Sequence, residues 1–217
     1  MKRTIAALMT ALMLLTFLPL AAPAAQAQVK AQAQAYVGTY NGTVRVAQTT
    51  SSTSLKISWT GVSGATYHVW RSTDLRNWYY IRTTYSASMT DNYLRSGTRY
   101  FYTIDVEMPD GSIYEGTRWG AGVPMGTTRM TSITSPGRGR VKIVWARTAG
   151  ASGYMVQMAT RPYGNYRTKR ITPGNTVTFS GVVRGVTLYF RVIPYKRIYG
   201  TTYAGYNSNY GYIRLPR

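Results

Sequence analysis

The sequence predicts an all-β protein built as a duplicated sandwich, and three observations carry that prediction. Leu55-Lys56-Ile57-Ser58-Trp59 is apolar at odd positions and polar at even ones, the period of two of a half-buried strand. The pattern recurs as Val141-Lys142-Ile143-Val144-Trp145, which sets the two tryptophans 86 residues apart (145 − 59), and the turn and aromatic strand after each tryptophan recur as well. Short strand-like runs separated by turn residues fill the rest, with no 3.6-residue apolar period after the first 27 residues.

Residues 1–27 read as a signal peptide. Lys2 and Arg3 open it, Ile5 to Leu20 is apolar, and Ala25-Gln26-Ala27 has the small-x-small form of a cleavage site. The alternative is a retained membrane anchor, against which the apolar run is shorter than the roughly 20 residues a spanning helix needs. The expected mature chain is secreted and has no membrane span. Residues 28–44, with an Ala-Gln repeat and Gly38 and Gly42, read as a flexible leader.

Module one is expected over residues 45–122. Val44 to Ala47 is its first strand and Leu55 to Trp59 its second, followed by a turn at Gly61 to Gly64. Tyr67-His68-Val69-Trp70 and Trp78 to Ile81 flank a loop at Ser72 to Asn77. Ser88 to Leu94 is a short strand and corner, and Gly97 to Ile104 a long strand. Pro109-Asp110-Gly111 is a hairpin turn, and Ile113 to Trp119 the closing strand.

Module two, residues 126–217, repeats the order. Met130 to Thr134, Val141 to Trp145, Tyr154 to Met158, Tyr166 to Ile171, Thr176 to Phe179 and Leu188 to Val192 are its strands, with a closing hairpin over Tyr195 to Tyr206. Turns fall at Ser135 to Gly139 and Ala149 to Gly153.

These residues resemble tandem fibronectin type III domains of a secreted bacterial surface protein. Ser54-Leu-Lys-Ile-Ser-Trp59, Val62-Ser-Gly-Ala-Thr-Tyr67, Arg71-Ser-Thr-Asp74 and Gly97-Thr-Arg-Tyr100 carry the likeness in module one. Gly139 to Trp145, Gly150 to Tyr154 and Gly185 to Val192 carry it in module two. The resemblance implies two seven-stranded, immunoglobulin-like sandwiches, with Trp59, Tyr67, Tyr100, Trp145 and Tyr154 as structural core. It also implies a tyrosine corner at Tyr100, whose hydroxyl bonds back to the chain. Module two has Leu188 at that position and Tyr189 beside it, which leaves its corner open. No Arg-Gly-Asp is present, so the integrin-binding role of some animal relatives does not carry over.

Composition excludes several chemistries. With no cysteine there is no disulfide, thiol nucleophile or thiolate metal site. His68 is the only histidine, expected on an outer sheet face. No carboxylate pair suggests glycoside cleavage, and no glycine-rich loop leads a helix. The expectation is a protein that is not an enzyme, with no catalytic residue, cofactor, metal or small-molecule substrate.

Charge is the functional signal. Without residues 1–27 the chain has 24 Lys/Arg (26 − 2) against 6 Asp/Glu, a net of +18 (24 − 6). All six acids precede residue 116, whereas residues 120–217 hold 15 Lys/Arg and no acid. A field of one sign attracts anions over roughly 8–10 Å; solubility alone would also account for it. The candidate contacts for an anionic polymer are Arg138, Arg140 and Lys142, then Arg167, Lys169 and Arg170, with Arg191, Lys196 and Arg197. Strand alternation gives Arg167 and Lys169 one face and Arg170 the other. Trp70, Phe101 and Tyr189 are candidate aromatic contacts, because outward aromatics beside arginines suit stacking on sugars or bases. His68 and Thr103 are expected outward with them, as are Met155 and Gln157 in module two. The expected partner is an anionic cell-wall or extracellular polymer, or else another surface protein if the chain is a structural spacer or assembly subunit.

Overall fold

The computed structural model describes residues 36–216, so the expected signal peptide lies outside the described residues. Among the described residues there is no helix, and none long and apolar enough to cross a membrane.

The first sandwich faces a three-stranded sheet against a larger one. β1 (Tyr36–Tyr40), β2 (Val44–Gln48), β3 (Leu55–Trp59), β4 (Thr66–Ser72), β5 (Tyr79–Thr84), β6 (Ser88–Asp91), β7 (Tyr100–Glu107), β8 (Ile113–Gly116) and β9 (Trp119–Gly122) run in chain order. The small sheet runs β2-β3-β6; the large one runs β1-β8-β7-β4-β5, with β9 also on β7. Alternation works as the sequence implies: Leu55, Ile57 and Trp59 are buried while Lys56 is exposed. Burying apolar side chains of this kind stabilises by about 1.5–3 kcal/mol each before entropy is counted. Trp59 meets Tyr67 edge-on, centroids 5.5 Å apart.

The second sandwich repeats this topology. β10 (Met130–Gly137), β11 (Arg140–Trp145) and β14 (Thr176–Phe179) form the small sheet, in the order β10-β11-β14. β13 (Arg167–Thr172), β12 (Gly153–Ala159), β15 (Thr187–Ile198) and β16 (Thr201–Ala204) form the large one, with β17 (Gly211–Arg214) also on β15. Trp145 meets Tyr154 with centroids 5.4 Å apart. Each of these tyrosine hydroxyls accepts a backbone N–H a few residues upstream, from Val62 at 2.6 Å and from Thr148 at 2.7 Å.

In both sandwiches the last strand is broken into two pieces that pair with the two halves of the long strand before it. β8 pairs the far end of β7 and β9 its near end; β16 pairs the far end of β15 and β17 its near end. The expected single strand Ile113 to Trp119 is therefore two, and β17 carries no signal that periodicity picks out. Counting each broken strand once gives seven per sandwich, with β1 added to the first.

Of the expected leader, residues 28–35 lie outside the described residues, and in the described part β1 forms a strand where a flexible segment was expected. Tyr36–Tyr40 runs parallel to β8, and the Tyr36 hydroxyl donates to the buried Asp105 carboxylate at 2.8 Å. Short, glycine-interrupted runs carry little local strand signal, and here a preformed sheet edge supplies the hydrogen bonds.

The junction between the sandwiches is buried and hydrogen-bonded rather than loose. Val123 and Met125 are fully buried, and Gln48 bonds both the Val123 carbonyl (2.7 Å) and the Met125 amide (3.1 Å). The Gly126 carbonyl accepts from the Tyr206 amide at 2.6 Å, and the Thr127 amide donates to Thr50 at 3.2 Å. Ser96 donates to the Ala149 carbonyl at 2.7 Å, joining the two sandwiches directly.

Candidate functional site

Two sheet faces were expected to bind, and they differ. In module one the strand alternation is as expected, yet the outer face of β7 is closed. Phe101 and Thr103 are buried, which corrects their expected exposure. Trp119 packs edge-on to Phe101 at 5.2 Å, and the Arg99 guanidinium lies 4.7 Å from the same ring. Thr103 sits under the break between β8 and β9, where its hydroxyl donates to the Gly116 carbonyl at 3.3 Å. Asp105, also on that face, accepts from the Gly116 amide at 2.8 Å. Trp70 is half-buried against Tyr80, centroids 5.6 Å apart. Covering of this kind cannot be seen in strand alternation, which gives direction and says nothing of what lies above.

The carboxylates of module one are engaged. Arg71 donates to Asp91 at 2.9 Å, and His68 bonds Glu107 at 2.8 Å. The Asn77 and Arg76 amides hold the Asp74 carboxyl well below the usual carboxylate range. Bonds from the Ser112 hydroxyl and amide lower that of Asp110. The tyrosine corner is present, with the Tyr100 hydroxyl accepting the Arg95 amide at 3.0 Å. Module two has none: Leu188 is simply buried, and Tyr189 points outward.

In module two the same outer face is open. Tyr189 lies opposite Tyr212, their centroids 5.8 Å apart, and contacts Tyr210 at 5.9 Å. Tyr210 in turn meets Tyr163 of the β12–β13 loop at 6.3 Å. Tyr163 is 91% exposed, Tyr212 64% and Tyr210 43%, so the rings form a surface rather than a core. The neighbouring Tyr163 hydroxyl raises the pKa of Tyr210, and burial raises that of Tyr166. Beside these rings Arg191 is fixed. Its Nε donates to Gln157 at 2.7 Å and its guanidinium lies 4.3 Å from the Tyr166 ring centre. Tyr163, Tyr166, Tyr210 and Tyr212 escape sequence reasoning because loop and β17 residues converge only in the folded chain.

The basic clusters do not form one patch. Arg140 and Lys142 share the exposed face of β11, with Arg138 in the adjoining turn. Arg167, Lys169 and Arg170 are all exposed on the edge strand β13. There a register shift leaves Lys169 without a partner across the strand, so Arg167 faces Met158 and Arg170 faces Val156. Met158 and Val156 lie on one face of β12, so Arg167 and Arg170 share a face, which corrects the expectation that Arg170 faces away from Arg167. Lys196 and Arg197 sit at the β15–β16 hairpin, opposite Tyr203 and Thr202. Among the described residues no group of three or more His, Asp or Glu side chains is placed to hold a metal ion.

No protein-family model matches the chain, and no curated protein matches it. Among solved structures, it is similar to a two fibronectin type III domain segment from chicken tenascin. That likeness has 16% identity and a TM-score of 0.45, over 81% of this chain and 99% of that one. It is also similar to the FN1–FN3 domains of chicken CNTN1, with 10% identity and a TM-score of 0.39, over 83% of this chain and 66% of that one. The fold assignment stands on the strand order and register of the chain itself: two tandem sandwiches of fibronectin type III-like architecture.

Proposed function

We infer that the chain is a secreted, non-enzymatic binding protein that associates with anionic cell-surface or extracellular polymers through its second sandwich. Secretion rests on the signal-like residues 1–27. The observation that supports binding is the contrast in charge environment. Module one ties its carboxylates to arginine, histidine, hydroxyls and backbone amides. Module two has no Asp or Glu, and twelve of its fourteen described Lys/Arg are exposed. Cations with no internal anion to satisfy them remain available to an external one.

Retention on an anionic polymer across a salt series tests this. Affinity should fall with log salt, each contact adding about 0.7–0.9 to the slope. Replacing Arg167, Lys169 and Arg170 with glutamine should reduce the slope while leaving the melting temperature nearly unchanged. Absence of binding at low salt, or binding indifferent to salt, would sink the proposal.

A structural spacer or assembly subunit is the second reading, supported by the buried junction at Val123 to Thr127, which suits a stiff two-domain rod. Concentration-dependent light scattering in low and high salt separates the two, because self-association that survives salt favours assembly.

A further inference from the structure

The open face of the second sandwich carries more than charge. Strand by strand it corresponds to the closed face of the first: Tyr189 occupies the place of Phe101, and Arg191 that of Thr103. In module one those positions are buried by Trp119, Arg99 and the strand break. In module two nothing among the described residues covers Tyr212 or Tyr163, and the cationic group beside the rings, Arg191, is held in a fixed pose.

That pose is informative. Gln157 occupies Nε and Tyr166 supports the guanidinium plane. No carboxylate side chain exists in module two to take the remaining N–H groups. A planar guanidinium with its terminal nitrogens uncommitted fits a carboxylate through two parallel N–H···O bonds. Arg191 and Tyr189 are two residues apart on one face of β15, about 7 Å along the strand. The rings beside it present faces of negative potential, suited to the C–H groups of a sugar.

We propose that Tyr189, Tyr210, Tyr212 and Arg191 form a binding platform for a polysaccharide built of uronic acid residues, its rings stacked on the tyrosines and a carboxylate held by Arg191. This deepens the anionic-polymer reading and rests on it. A uronate carries its carboxylate on the stacking ring itself, which matches a tyrosine and an arginine set side by side. In a nucleic acid the stacking base is separated from the phosphate by a sugar, and a polyol phosphate has no ring to stack. The acid-free surroundings supply charge complementarity along the polymer.

The test is affinity electrophoresis of residues 28–217 in gels containing polygalacturonate, its carboxyl-reduced neutral form, or single-stranded DNA. Polygalacturonate should retard the protein more than either of the others. Tyr212→Ala should weaken retardation about tenfold, the loss of one stacked ring, while Tyr212→Phe retains it. Arg191→Lys should abolish most of the preference for the acid over the carboxyl-reduced form. Tyr163→Ala, at a ring 91% exposed, guards against a folding defect at Tyr212 and should also weaken binding. If wild-type protein binds polygalacturonate in a salt-dependent way but these variants bind equally well, the platform is wrong and the electrostatic reading survives. Tyrosine-dependent binding of single-stranded DNA without binding of polygalacturonate overturns the choice of ligand. No retention on any polyanion at low salt overturns both.

Discussion

Gly97 and Gly150 face each other across the junction of the two sandwiches, so closely that a Cβ on Gly97 would stand 2.8 Å from the Gly150 Cα. Both have positive φ, +75° and +74°, in turns that the neighbouring Ser96 to Ala149 bond pulls together. Glycine is needed here twice over, for the left-handed backbone and for the space.

Gly150→Ala should therefore separate the modules more than it unfolds them. The left-handed conformation costs about 1–2 kcal/mol for a residue with a side chain, and the new methyl group meets backbone. Small-angle scattering should show a longer, less uniform particle, and proteolysis should cut faster between Val123 and Thr128. Unchanged scattering and cleavage would mean that the junction does not depend on this contact.

Trp145→Ala should selectively unfold the second sandwich. Truncating a buried tryptophan costs about 3–5 kcal/mol, and a domain has only about 5–15 kcal/mol in total. The core around Trp145 is separate from that around Trp59. Proteolysis should spare a fragment that begins ahead of β1 and ends near Gly122. Loss of both sandwiches together would show that the junction makes them one cooperative unit.

Arg71, Asp91 and Tyr102 form a buried polar network where module two has Met158, Phe179 and Phe190 at the matching register positions. Phe179 and Phe190 stack there at 5.7 Å. Asp91→Ala should destabilise module one by about 3 kcal/mol, because it strands a partly buried arginine. Exchanging all three residues for Met, Phe and Phe should cost far less, since an apolar set of similar size needs no partners. Chemical denaturation of the two variants checks the order; equal losses would refute it.

Burial, reinforced by the Asp91 carboxylate, pushes the Tyr102 hydroxyl above its ordinary pKa. The folded state then holds a proton that the unfolded chain releases above pH ~10. This contribution is fully present below that pH and is lost as pH rises, by about 1.4 kcal/mol per unit. Urea melts at pH 9 to 11.5 should show the decline, and Tyr102→Phe should flatten it. An equally steep decline in the variant would assign it to other groups.

Tyr36→Phe removes a donor from the buried Asp105 carboxylate and should cost about 1–3 kcal/mol. Thermal melting of the variant checks it; an unchanged transition would mean that the Tyr36 to Asp105 hydrogen bond does not contribute to stability.

The sequence by itself determined which residues face inward on the central strands. Leu55 to Trp59 and Val141 to Trp145 repeat a period of two that admits only one buried face, and the tyrosine partners come at matching distances. Tertiary structure decided what lies over the outward residues. Phe101 and Tyr189 have the same register and nearly the same chemistry. One is buried beneath Trp119 and Arg99 while the other stands at the edge of an open tyrosine surface. The broken last strand returns at the same register in both, with Ala121 opposite Phe101 and Tyr212 opposite Tyr189, so the difference lies in the side chains that long-range pairing brings there: Trp119 and Arg99 over Phe101, tyrosines beside Tyr189. β1 joined the sheet for the same kind of reason, since an edge strand takes its hydrogen bonds from its neighbour rather than from its own sequence.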